Sequence, residues 1–275
     1  MSAISLKSAR ERRVTVPSLL SRKPGGPPIS MLTAYDFAFA RIFDTAGVDV
    51  LLVGDSLGNV VQGRDTTLPV TLDEVVYHTR MVSRAAQRAL VVSDMPFGSY
   101  QISSEEALRN AVHCVKEGGA HAVKLEGGTA AAAAISRIVE AEIPVMGHVG
   151  LTPQAIHRMG GHRVQGRTER SAQRVLDDAR AVQEAGAFSV VLEGIPASLA
   201  REVTAALDIP TIGIGAGAGC DGQVLVMHDM LGLSDWTPSF VKQYANLGAL
   251  AGQAARRFVE EVANRKFPDD EHAYS

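Results

Sequence analysis

Six apolar runs in this 275-residue chain end in polar or glycine-rich tripeptides. They are Gly54-Asp55-Ser56, Ser93-Asp94-Met95, Lys124-Leu125-Glu126, Gly147-His148-Val149, Leu192-Glu193-Gly194 and Gly215-Ala216-Gly217. Asp55, Asp94 and Glu126 are hard oxygen donors of the kind that suit Mg²⁺, an ion that takes one or two carboxylates and keeps water or substrate oxygens. Cys114 and Cys220 have no metal-ligand spacing, and no close histidine pair competes for zinc. Lys124 and Glu126 stand two apart on one strand and share a face, so a lysine buried there would pair with Glu126 or with a bound carboxylate. Glu193 closes an apolar strand, a setting in which burial tunes a carboxylate to general-base work near neutrality. Plainer readings stand beside these. Asp55 and Asp94 suit turns or helix caps, Lys124 and Glu126 an internal ion pair, and His148 a neutral hydrogen-bonded core imidazole.

What would bring these groups together is the run of elements that carries them. Continuous Val/Ile/Leu stretches such as 48–53 and 189–192 read as parallel strands covered on both faces, and the side chains at their C-terminal ends converge on one open face. Strands alternate with helical patterns at 36–46, 71–88, 103–117, 129–140, 171–185, 198–207 and 238–266. Thr71 to Glu74 and Ser103 to Glu106 have the spacing of capping boxes, and Gly47 sits where a helix C-cap belongs. Thr15 before Val16-Pro17 predicts a short helix ahead of the first strand. An internal repeat reinforces the pattern: Gly118-Gly119-Ala120, Leu125-Glu126-Gly127 and Ile143-Pro144 recur as Ala185-Gly186-Ala187, Leu192-Glu193-Gly194 and Ile209-Pro210. The glutamates stand 67 positions apart, from 126 to 193. Two copies of one strand–helix–strand unit place Glu126 and Glu193 at equivalent strand ends. The fold expected is α/β, a single (β/α)8 TIM barrel with a short N-terminal helix, over residues 14–267. Residues 1–13 read as a disordered tail and 268–275 as a C-terminal tail.

Composition excludes several classes. The chain is 46% apolar and 21% charged with a net charge of −3, which argues against a nucleic-acid or acidic-membrane partner. No apolar run reaches the roughly 18 residues of a membrane span, the N-terminus lacks a secretory core, and a cytoplasmic location is expected. Cys114 falls on an apolar helical stripe and reads as a small buried hydrophobe, and His113, His121, His157 and His162 read as surface residues. The run 213–217 invites a dinucleotide-loop reading, but no helical pattern follows it, so its glycines are read as letting backbone approach a ligand. Residues 160–167 form a long polar loop of the kind that covers a barrel mouth.

Taken in series, several motifs are familiar. Met31-Leu32-Thr33-Ala34-Tyr35-Asp36, Val53 to Gly58, Asp94 to Tyr100, Val123 to Gly128, Gly147 to Gln154, Gly213 to Gly217 and Asp221 to Val226 closely resemble the ketopantoate hydroxymethyltransferases. That family belongs to the phosphoenolpyruvate-binding (β/α)8 superfamily, and the resemblance runs from about Arg13 to Phe267. It implies transfer of a hydroxymethyl group from 5,10-methylenetetrahydrofolate to 3-methyl-2-oxobutanoate in pantothenate biosynthesis, through a Mg²⁺-stabilised enolate. It further implies that Asp55, Asp94 and Glu126 hold Mg²⁺. Asp55, Ser56, Asp94 and Lys124 would bind the keto acid, His148 would lie beside it, and Glu193 would accept the proton. A homo-oligomer, a decamer in the family pattern, is implied as well, and the apolar faces around Phe39, Phe43 and 248–255 agree with it. A carbon–carbon or carbon–phosphorus lyase of the same superfamily is the nearest alternative. Such enzymes usually carry a reactive cysteine in a Lys-Lys-Cys-Gly-type loop, which Cys114 and Cys220 do not match. A non-catalytic keto-acid-binding barrel is the alternative of another class.

Overall fold

The computed structural model describes residues 12–23 and 25–274, so nearly all of the expected N-terminal tail lies outside the described residues. The described residues divide into two units, one running to Val226 and one from Met227. The first holds eight parallel strands in sequence order, closed by pairing of the first with the last. They are β1 (Ile29–Thr33), β2 (Val50–Val53), β3 (Leu90–Asp94), β4 (Ala122–Glu126), β5 (Val145–Gly150), β6 (Ser189–Glu193), β7 (Thr211–Ile214) and β8 (Gly222–Leu225). Before β1 comes α1 (Val16–Leu20), opened by Thr15, whose capping-box partner is Ser18. Between strands lie α2 (Phe37–Ala46), α3 (Leu57–Val60), α4 (Leu72–Ala85), α5 (Ser104–Lys116), α6 (Ala132–Val139), α7 (Ile156–Met159), α8 (Glu169–Glu184) and α9 (Ala197–Ala206). This is the expected (β/α)8 barrel with its short N-terminal helix.

The period-2 alternation of each strand sorts the core into two compartments. Val50, Leu52, Leu90, Val92, Ala122, Met146, Val191, Ile212 and Val224 point into the barrel, where they meet Val14, Leu19 and Ile29. The alternate residues Val123, Leu125, Val145, Val149, Val190 and Leu192 face the helices. The inward set continues up each strand to a polar residue: Leu90 and Val92 to Asp94, Ala122 to Lys124 and Glu126, Met146 to His148, and Val191 to Glu193. The same alternation that packs the barrel floor therefore aims these groups into its C-terminal mouth.

The opposite end is tied by ion pairs. Asp49, just before β2, accepts from Arg22 at 2.9 Å and from Arg88 at 2.8 Å, and from the Ser30 amide at 3.1 Å. Burial works against ionisation of Asp49, but these donors outweigh it and hold its carboxyl at about 2.

Several boundaries differ from expectation for local reasons. Ser103 caps α5 by accepting from the Glu106 amide, without the reciprocal half of a box. Thr129–Ala131 is a tight 3₁₀ turn ahead of α6. His121 is half-buried rather than a surface residue, because its Nδ1 accepts the Val91 amide at 2.9 Å. Phe43 is buried, whereas Phe37 and Ile42 of the same helix are exposed.

The second unit carries α10 (Met227–Leu231) and α11 (Leu247–Ala263), the latter starting at Leu247 instead of 238 under an Asn246 cap. None of the residues of α11 is buried, and Leu250, Phe258, Val259 and Val262 are exposed. No helix among the described residues is long and apolar enough to cross a membrane.

Candidate active site

Strand register decides which mouth residues meet. Asp94 on β3 lies opposite Lys124 on β4, Glu126 opposite His148 on β5, and Glu193 opposite Gly150. Lys124 is buried, and its Nζ stands 2.8 Å from Asp94 Oδ1, so its ion-pair partner is Asp94 and not Glu126 as expected from their shared face. The lysine also lies 3.3 Å from His148 Nδ1. His148 Nε2 is 3.1 Å from Glu193 Oε2, while its Nδ1 is 3.7 Å from Glu126 Oε1. Burial and the neighbouring lysine charge push His148 below its ordinary value of 6.5. The neutral imidazole can therefore accept from Lys124 at Nδ1, while its Nε2 approaches Glu193 without an aligned hydrogen bond.

Asp55, Asp94 and Glu126 are all buried within this cluster. Burial raises each of them, and mutual repulsion adds to it. Asp94 is pushed up to about 7 despite Lys124, and Glu126 is raised well above its ordinary value. Asp55 is raised too, by burial first. Glu193 differs: expected to be buried, it keeps 17% of its side chain exposed and opens toward the mouth. Ser56 is part-buried at the turn after β2, with its Oγ 2.8 Å from the Tyr35 hydroxyl.

Two residues at the centre of this network had only their place in a motif to mark them. Gln154, buried in the loop after β5, donates from Nε2 to Asp55 Oδ2 at 3.0 Å and to the Met95 carbonyl at 3.0 Å. Its backbone N–H donates to Glu126 Oε2 at 3.0 Å. The Tyr100 hydroxyl lies 2.6 Å from Gln154 Oε1 and accepts the Glu126 amide at 3.2 Å. Tyr100 sits in a loop and Gln154 in the 3₁₀ turn Pro153–Ala155, both too short for periodicity to carry a signal.

Among the described residues no three His, Cys, Asp or Glu side chains stand in metal-coordinating geometry. Gln154 and Lys124 instead occupy oxygens of Asp55 and Asp94. The donor set nevertheless fits a hard divalent cation. Three mutually repelling buried carboxylates face one lysine, and all the donors are oxygen.

Fold and site together describe an enzyme with a polar barrel mouth built from strand ends. The family model described as ketopantoate hydroxymethyltransferase matches residues 13–270. A 3-methyl-2-oxobutanoate hydroxymethyltransferase from Pelobacter propionicus is 57% identical over 269 residues, covering 98% of this chain and 100% of that protein. One from Magnetococcus marinus is 57% identical over 265 residues, covering 96% of this chain and 99% of that protein. The chain belongs to the ketopantoate hydroxymethyltransferase family and is a transferase. Among solved structures, phosphonopyruvate hydrolase superposes with a TM-score of 0.60 at 12% identity over 94% of this chain and 91% of that one, a likeness of fold alone.

Proposed function

We propose that this enzyme transfers a hydroxymethyl group from 5,10-methylenetetrahydrofolate to 3-methyl-2-oxobutanoate, giving 2-dehydropantoate and tetrahydrofolate for pantothenate synthesis. Residues 14–267 form the catalytic domain in this reading, a span the family match supports. The observation that carries it is the division of labour among four carboxylates. Three are buried around Lys124, and the fourth, Glu193, is open to the mouth with His148 Nε2 3.1 Å away.

Asp55, Asp94 and Glu126 would hold Mg²⁺, which when bound would polarise the keto oxygen as a Lewis acid. Ser56 and Lys124, with Asp55 and Asp94 beside them, bind and orient the carboxylate and keto oxygen of the substrate. Glu193 takes the single C3 proton, with His148 Nε2 3.1 Å from its carboxylate. The C3–H electron pair becomes an enolate, whose oxygen charge Lys124 offsets. C3 then forms a bond to the methylene carbon of the folate as one of its C–N bonds breaks. Water replaces the remaining nitrogen, leaving the hydroxymethyl group on C3 and tetrahydrofolate as the second product. Deuterium exchange at C3 without folate, followed by 2-dehydropantoate formation when folate is added, tests the reading. Absence of Mg²⁺-dependent exchange overturns it.

The same reading places the enzyme in the cytoplasm as a homo-oligomer. Both cysteines are free, which suits a reducing compartment. The exposed Leu250, Phe258, Val259 and Val262 on α11 supply apolar surface that a second copy could cover. Light scattering that returned the 29.1 kDa monomer mass at working concentration would reject the assembly.

A further inference from the structure

No step of the reaction above uses Tyr35, the aromatic residue of the motif 31–36. It stands two places beyond the end of β1 and is 2% exposed. Its backbone is tied on both sides. The Ala34 N–H donates to the Leu52 carbonyl at 2.9 Å, which carries the pairing with β2 one residue past the strand. The Tyr35 carbonyl accepts from Nδ1–H of His78, on α4, at 2.6 Å. A carbonyl only accepts, so that ring nitrogen carries the proton. Asp36 then opens α2 by accepting the Phe39 amide at 2.9 Å. From this fixed place the Tyr35 hydroxyl lies 2.8 Å from Ser56 Oγ.

Ser56 departs from what its position favours. It occupies the N-cap of α3, where a serine hydroxyl ordinarily accepts a backbone N–H of the first turn. Here it makes no such bond, and its Oγ is turned to Tyr35 instead. Its backbone is helical (φ −52°, ψ −15°), unlike the extended capping residue Thr71 of α4 (φ −89°, ψ 158°). Gly54 makes room for that arrangement: a Cβ there would lie 2.8 Å from Ser56 Oγ and 3.8 Å from Asp94 Oδ2. The bare Cα of Gly54 thus faces both the hydroxyl and the Asp94 carboxylate, which puts Ser56 Oγ on the mouth side of its turn.

We propose that Tyr35 is a positioning residue for substrate binding: its O–H donates to Ser56 Oγ and so commits the single Ser56 hydrogen to the carboxylate of the keto acid. This rests on the reading above in which Ser56 binds that substrate. A hydroxyl has one hydrogen and two lone pairs. Were Ser56 to give its hydrogen to Tyr35, an anionic substrate would meet only lone pairs. With Tyr35 as the donor, Ser56 meets the carboxylate with its O–H, and the bond it accepts strengthens the bond it gives. No proton changes hands, and Tyr35 touches no reacting atom. It therefore acts on affinity and leaves the chemical step to Glu193 and Lys124.

Calorimetry of 3-methyl-2-oxobutanoate binding to the full-length enzyme with Mg²⁺ present tests the proposal in wild type, Tyr35→Phe, Ser56→Ala and the double variant. Phenylalanine keeps the ring and removes only the hydroxyl, and melting temperature checks that each variant folds. Tyr35→Phe is expected to weaken keto-acid binding about five- to tenfold, the scale of one hydrogen bond. Its saturating rate of C3 deuterium exchange should stay within about twofold of wild type, the signature of lost uniform binding. Ser56→Ala is expected to cost about tenfold or more, because its bond is to a charged oxygen. In the double variant Tyr35→Phe should add nothing to that loss, since it acts through the missing hydroxyl. A purely structural Tyr35 would weaken binding equally in both backgrounds, and that result overturns the proposal, as does wild-type affinity in Tyr35→Phe. A loss in Ser56→Ala alone removes only the part given to Tyr35. Unchanged affinity in Ser56→Ala removes the reading of Ser56 as a substrate ligand and this proposal with it.

Discussion

His148 Nε2 lies 3.1 Å from Glu193 Oε2, and the other ring nitrogen lies 3.3 Å from Lys124 Nζ. One neutral imidazole thus links the group proposed to move the proton with the group proposed to meet the resulting charge. Asp94, 2.8 Å from Lys124, completes a chain across three adjacent strands to the fourth. The donor directions follow from the ammonium, which can only donate.

Glu193→Gln preserves size and a hydrogen-bonding end but removes the base. C3 deuterium exchange should fall by about 10²–10⁴, with Mg²⁺ affinity little changed. Glu126→Gln should lower Mg²⁺ affinity first. Wild-type exchange in Glu193→Gln would transfer the base to another group, His148 being next in line.

Removing divalent metal should weaken keto-acid binding as well as stop turnover, because the three carboxylates would otherwise face an anionic substrate uncompensated. Calorimetry with 3-methyl-2-oxobutanoate in excess chelator reads this directly. An affinity unchanged by chelation would rule out a metal–substrate contact.

Gln154 braces Asp55 through its side chain and Glu126 through its backbone. Gln154→Glu is nearly isosteric, yet it places a fourth acid among three and removes the donors to Asp55 and to the Met95 carbonyl. Metal-free stability should drop by about 2–3 kcal/mol, the scale of leaving buried polar groups unpaired, with Mg²⁺ restoring part of it. Tyr100→Phe should show a smaller loss of the same kind. Urea denaturation with and without Mg²⁺ makes the measurement, and a Gln154→Glu enzyme as stable as wild type in chelator would mean the brace contributes nothing.

Asp49 supplies a pH-dependent element of stability remote from chemistry. Its carboxyl is held at about 2 against an ordinary 3.8. A depressed folded value means that the stabilisation, about 2 kcal/mol, is fully present above the unfolded value and is lost as pH falls toward the folded one. The stability difference between wild type and Asp49→Asn should therefore be flat from neutrality to about pH 4 and shrink between about pH 4 and 2. A difference independent of pH over that window would assign the effect to packing instead of charge.

The sequence alone determined the architecture and the roster of polar strand ends. Apolar runs alternating with capped amphipathic helices leave few folds that bury both strand faces, and period-2 alternation obliges Asp94, Lys124, Glu126, His148 and Glu193 to share the inward side with Val92, Ala122, Met146 and Val191. Those signals are local and depend on no long-range contact. Tertiary structure decided who meets whom. Lys124 pairs with Asp94 because parallel register sets the two side by side, while Glu126 is level with His148, one inward step higher. Glu193 keeps contact with solvent because its strand end opens on the mouth, something an apolar run cannot announce. Gln154 and Tyr100 reach the carboxylates from connecting segments whose course is set by long-range hydrogen bonds rather than by any repeat in their own residues.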